Sequence, residues 1–145
     1  MEKSRFEVTI NASPEKVWAV LWGDDTYPQW TAAFSPDSRA ETDWKKGSKV
    51  LFLDASNQGM VSRIAENIPY KFLSIEHLGE LRNGIEDTES ERVKAWAGAH
   101  ENYTLKEIDG QTLLVIDMDI NDEFAAMFNE IWPKALVKVK EIAEG

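Results

Sequence analysis

Residues 10–30, INASPEKVWAVLWGDDTYPQW, leave a strand, cross two helix starts and carry Trp18, Trp22 and Trp30. Just before them, Phe6, Val8 and Ile10 alternate with Glu7 and Thr9, the pattern of a half-buried strand. Ser13 then offers an N-cap oxygen, and Pro14 falls at the first helical position, where its missing N–H is no loss. Lys16 stands where a capping box needs Glu, so no box forms. Val17, Trp18, Leu21 and Trp22 share one apolar helix face, and Gly23 is expected as a left-handed cap. Asp24 or Asp25 is expected to cap a second short helix through Tyr27 and Trp30. The three tryptophans are then either core or the edge of a space left for something else.

Downstream, the period changes to two, with turn residues between the runs. Strands are expected near 37–43, 48–54, 59–67, 70–78, 99–107 and 112–120. The turns fall at 44–47, 56–59, 67–69 and Asp109-Gly110, the last being the strongest hairpin signal. Residues 79–98, GELRNGIEDTESERVKAWAG, interrupt this meander as an acidic segment in which Thr88 and Glu91 have capping-box spacing. A long helix closes the chain. Asn121 is its N-cap, and Phe124, Phe128, Ile131, Ala135, Val139 and Ile142 its apolar stripe, with Pro133 inside. The fold class is therefore α+β: an antiparallel sheet of about seven strands, two short helices after the first strand, and a long C-terminal helix across the sheet. A curved sheet cannot meet a straight helix along its whole length, so the layout leaves room for a gap.

Composition narrows the function. At 145 residues the chain is expected to be one domain, 1–145. Sixteen basic against 26 acidic residues give a net charge of −10, a field that repels phosphate backbones and anionic headgroups. Nucleic-acid and membrane partners are therefore not expected. The absence of cysteine excludes thiol catalysis, disulfides and cysteine zinc sites. No apolar run has the length of a signal or a membrane span, so a cytoplasmic location is expected. Asp117, Asp119 and Asp122 lack the later Gly and Glu of a calcium loop, and no phosphate loop or dinucleotide fingerprint occurs; no metal or cofactor is expected.

The order of elements, with INASPEKVWAVL after the first strand and YTLKEIDGQTLLVIDMDI before the last helix, resembles the START/Bet v 1-like (SRPBCC) superfamily. Within it the chain is similar to the bacterial group related to the C-terminal domain of the activator of heat-shock-protein-90 ATPase. The likeness spans about residues 4–143, and ASPEKVW, EHLGE and WAGAHENYTLKE carry its narrower part. It implies a helix-grip fold with an elongated cavity between sheet and long helix that holds apolar or amphipathic small molecules. Many relatives carry a tryptophan pair in the second short helix, where this chain has only Trp30 in YPQWTAAF.

The residues that would serve such a cavity can be named. Leu73, Ile75 and His77 share one strand phase, and Glu101, Tyr103 and Leu105 share another, so an imidazole and a carboxylate are expected side by side next to a tyrosine. Trp22, Trp30, Met60, Trp96, Met118, Phe128 and Trp132 are the expected apolar walls, with Ile75 beside them, while Trp18 is expected as core. The leading reading is a protein that binds a small hydrophobic or amphipathic molecule. A chaperone-associated interaction protein is one alternative, implied by the resemblance. A hydrolase or cyclase-type enzyme using His77 and Glu101 as acid and base is the other.

Overall fold

The computed structural model describes residues 2–145. β1 (Glu2–Ile10) leads into α1 (Pro14–Trp22) and α2 (Tyr27–Thr31). The strands β2 (Arg39–Glu41), β3 (Lys49–Leu53), β4 (Gly59–Ile68), β5 (Phe72–Arg82) and β6 (Ile85–Asp87) follow. After α3 (Glu91–Lys94) come β7 (His100–Ile108), β8 (Gln111–Ile120) and α4 (Asp122–Glu144). The sheet is antiparallel and eight-stranded, in the order β1-β8-β7-β5-β4-β3-β2, with β6 paired to β5. This is the helix-grip architecture, with one strand more than the sequence pattern indicated.

The inner face follows the alternation: Ile10 on β1, Leu73 and Ile75 on β5, Tyr103 and Leu105 on β7, and Leu114, Ile116 and Met118 on β8 are all buried. α1 adds Val17, Leu21 and Trp22 to the same core, while Trp18 is only partly buried against it. The α4 stripe holds at Ala135 and Val139, with Phe128 and Ile142 packed against the core, and is corrected at its start. Trp132, Ala135, Leu136, Val139 and Ala143 are buried, whereas Phe124 is 42% exposed. α4 packs on β1, α1 and α2, and its fully buried residues begin only at Trp132. The helix continues through Pro133. At its far end the Asn11 N–H donates to Glu144 Oε2 (2.8 Å) and Lys140 Nζ donates to the Thr9 carbonyl (2.9 Å), tying the C-terminus to the end of β1.

Two caps differ from expectation. Gly23 is extended (φ −70°, ψ 142°), not left-handed. A Cβ there would lie 2.6 Å from the Ala19 carbonyl oxygen and 2.9 Å from Thr26 Oγ1, so close approach rather than backbone hand requires glycine. The cap of α2 is Thr26, not Asp24 or Asp25, and its hydroxyl donates back to the Val20 carbonyl (2.6 Å). The acidic segment is corrected as well: β5 runs on to Arg82, a hairpin turn at Asn83 (φ 51°) and Gly84 (φ 77°) starts β6, and Ser90 rather than Thr88 caps α3.

Candidate functional site

The alternation that buries Ile75 also brings His77 to the inner face, and a register shift between Val61 and Ser62 pins it there. Ser62 pairs with His77 while Val61 pairs with Gly79, so Leu78 is the extra residue of a bulge beside the histidine. On the other side the His77 N–H donates to the Ala99 carbonyl (2.9 Å), and the Gly98 N–H donates to the His77 carbonyl (2.9 Å). Both backbone hydrogen bonds of His77 are thus made to the turn before β7, and its register partner on β4 is Ser62.

The ring sits in a chain of hydrogen bonds. His77 Nε2 lies 3.1 Å from Glu101 Oε1, His77 Nδ1 lies 2.7 Å from Ser62 Oγ, and the Tyr103 hydroxyl donates to Glu101 Oε2. A carboxylate only accepts, so Nε2 carries the shared proton and Nδ1 is left to accept from the Ser62 hydroxyl in the neutral ring. This assignment satisfies every polar atom of the chain. Ser62 is fully buried and absent from the cavity wall, so its hydroxyl orients the imidazole and is not placed to attack a substrate.

Burial pushes the Tyr103 hydroxyl pKa well above its ordinary value, and the Glu101 charge and the hydrogen bond to it push the same way. Tyr27 is also raised, by burial first and by the Glu101 charge second. Each folded-state pKa lies above the unfolded one. The stabilisation from keeping these phenols neutral is therefore complete below the unfolded pKa of about 10 and is lost as pH rises beyond it. Urea unfolding followed from about pH 8 to 11 should show stability falling above about pH 10, and Tyr103→Phe should flatten that fall.

Around this chain lies a cavity of about 320 Å³. That is at the small end of the ~300–1,000 Å³ typical of ligand pockets. Its walls include Trp22, Trp30, Met60, Ile75, His77, Glu101, Tyr103, Met118, Phe128 and Trp132. All the residues singled out in the sequence are therefore brought together except Trp96. Trp96 lies in the tight turn between α3 and β7, where the Ala99 N–H donates to its carbonyl (3.1 Å), and it is not on the wall. Trp96 lies before β7 begins at His100, so nearness to Glu101 along the chain did not place it on the wall.

The structure adds wall residues that the sequence reading passed over. Tyr27, Thr31 and Phe34 come from α2 and the turn after it, and Phe52 and Leu53 from β3. Ser38, Arg39, Asp54 and Gln58 add polar groups from the α2–β2 and β3–β4 connections. Phe52 was legible, because it alternates with Val50 in KVLFL; Ser62 carried no signal until its partner was placed. The aromatic rings support one another: Trp22 and Tyr103 stand 4.8 Å apart edge to face, and Phe34 and Trp132 4.9 Å apart. Trp44, held at φ 63° by its turn, packs against Trp22 at 4.7 Å from outside the wall.

Two wall residues carry an unmet group. The indole Nε1 atoms of Trp22 and Trp132 are buried with no hydrogen-bond partner among the described residues, whereas Trp30 Nε1 donates to the Leu21 carbonyl (3.1 Å). Among the described residues no helix is long and apolar enough to cross a membrane.

Comparison with known proteins agrees with this architecture. No curated protein matches the chain. The Aha1 dimer from Colwellia psychrerythraea superposes with a TM-score of 0.76 at 21% identity, over 99% of this chain and 97% of that one. The protein MLL2253 from Mesorhizobium loti gives a TM-score of 0.74 at 16% identity, over 97% and 96%. CalU16 from Micromonospora echinospora gives 0.68 at 13% identity, over 97% of this chain and 75% of that one. At these identities the likeness is one of fold. The family model described as "Activator of Hsp90 ATPase homolog 1-like protein" matches residues 11–144, nearly the full length, and on that match the chain belongs to this family, within the START/Bet v 1-like superfamily.

Proposed function

We propose that the chain works as a single START/SRPBCC-like domain that binds one small hydrophobic or amphipathic molecule in the sheet–helix cavity. The observation that carries this reading is the cavity itself: about 320 Å³ bounded by aromatic and aliphatic side chains, with a short polar chain, His77–Glu101–Tyr103, at one place on its wall. Apolar walls supply affinity through surface removed from water, and a few fixed polar groups supply orientation. The polar groups on the wall, His77 and Glu101, favour an amphipathic over a purely hydrocarbon ligand.

Native mass spectrometry of the protein purified from its own host tests this. The reading predicts an added mass of small-molecule size that disappears on denaturation. The family match favours a second reading, a chaperone-associated interaction protein in which the cavity carries no cargo. The same spectrum separates the two, because the second reading predicts the bare polypeptide mass.

A further inference from the structure

The cavity wall has an uneven charge inventory. Arg39 is engaged with Glu41 (3.0 Å) and with Asn57, outside the apolar part of the wall. Asp54 accepts from the Ser56 N–H (2.8 Å) and the Gln58 N–H (3.1 Å) within its own turn. Glu101 differs: its side chain is 18% exposed, it stands on the inner face of the sheet, and among the described residues no lysine or arginine pairs with it. Its two hydrogen-bond donors, His77 and Tyr103, use one site on each oxygen, and a carboxylate offers about four. The rings of Tyr27, Trp30, Phe52 and Trp132 line the same cavity.

A carboxylate with free acceptor sites inside an aromatic enclosure has the chemistry that recognises organic cations. The negative faces of the rings and the carboxylate attract the same charge, while the ring area accepts an apolar body. An anionic head would meet Glu101 at close range in a medium poorer than water at screening charge. The field of a chain with net charge −10 acts in the same direction at longer range.

Building on the binding function proposed above, we infer that the ligand is an organic ammonium ion with an apolar, ring-sized body, its charged nitrogen set against Glu101 and its body against the aromatic wall. The amine stays protonated in the complex, and no bond is made or broken.

Three water-soluble probes of near-equal size test this: 2-phenylethylammonium, 2-phenylethanol and phenylacetate, titrated into the full chain and followed by tryptophan fluorescence. The expected order is ammonium over alcohol over carboxylate, with ~tenfold between the first two. In Glu101→Gln the ratio of ammonium to alcohol binding should fall to about one, whereas a preference owed to the general field of the other acidic residues would survive the substitution. Equal binding of ammonium and alcohol by the unmodified protein overturns the cation assignment and leaves the cavity reading intact. A preference that persists in Glu101→Gln overturns the role of Glu101. If none of the three binds, the cation assignment and the cavity reading fall together. Should Glu101→Gln not fold, the titrations repeated on the unmodified protein in about 0.5 M salt decide the matter: contact with the partly buried Glu101 keeps the ammonium preference, and its loss would assign the preference to the general surface field.

Discussion

Trp132→Ala is expected to lower the free energy of unfolding by about 3–5 kcal/mol, read as a shift in the urea midpoint at constant slope. Trp132 is 2% exposed on α4, and its ring meets Phe6 at 6.0 Å, Trp30 at 6.1 Å, Phe34 at 4.9 Å and Tyr103 at 6.1 Å. It therefore joins β1, α2 and β7 through one side chain, and truncation loosens all three contacts. The void it leaves would be continuous with the existing cavity, so collapse around it is limited and the upper half of the range is favoured. Trp132→Phe separates packing from polarity. It keeps most of the ring area and removes an indole N–H that has no partner, so its cost should stay below about 2 kcal/mol. If the phenylalanine variant is as damaged as the alanine one, the N–H is satisfied in solution and the orphan assignment fails.

His77→Leu is the second large effect, expected at about 2–4 kcal/mol. It removes the partner of Ser62 Oγ, in a fully buried residue, and one of two donors to Glu101, whose side chain is 18% exposed. The serine cannot reach water, so it carries the full penalty of an unmet hydroxyl. The carboxylate regains part of its solvation through the cavity and carries less. A double-mutant cycle distinguishes this account from simple loss of volume. Adding Ser62→Ala to His77→Leu removes the stranded hydroxyl, so the double variant should be more stable than the sum of the singles by about 1 kcal/mol. Additive effects would mean that the Ser62–His77 contact contributes nothing to stability.

Much of this arrangement was legible in the sequence, for reasons that differ from element to element. The strand phases were readable because one face of each strand is buried, which ties alternation to orientation. That is how Ile75, His77, Glu101 and Tyr103 could be expected on one surface before any pairing was placed. The start of α4 was readable because Asn121 accepts from the Glu123 N–H (3.3 Å), a contact that is local in sequence.

What was not legible depends on contacts between distant residues. β6 is three residues long, and its Ile85 is 70% exposed, so it has no buried face to impose a pattern. Its Asn83-Gly84 turn carries the same chemistry as Asp109-Gly110 but lacks flanking alternation. The α4 stripe was displaced because helical period identifies an apolar face without saying how far along the helix the partner extends. Gly23 was assigned a left-handed cap because that is the commonest use of glycine at a helix end; the Thr26 hydroxyl reaching back over it is a tertiary fact. Whether Trp22 and Trp30 edged an open or a filled space was beyond pattern reading, since it turns on side-chain volumes summed over several elements.

The claim that a small molecule enters this cavity is tested most directly by the six tryptophan indole N–H resonances of the 15N-labelled protein. Trp22, Trp30 and Trp132 line the cavity, and Trp18, Trp44 and Trp96 do not. Addition of the neutral apolar probe N-phenyl-1-naphthylamine should move the first three resonances and leave that of Trp96 in place. No movement of the first three at saturating probe, or movement of Trp96 equal to theirs, would contradict binding in the cavity.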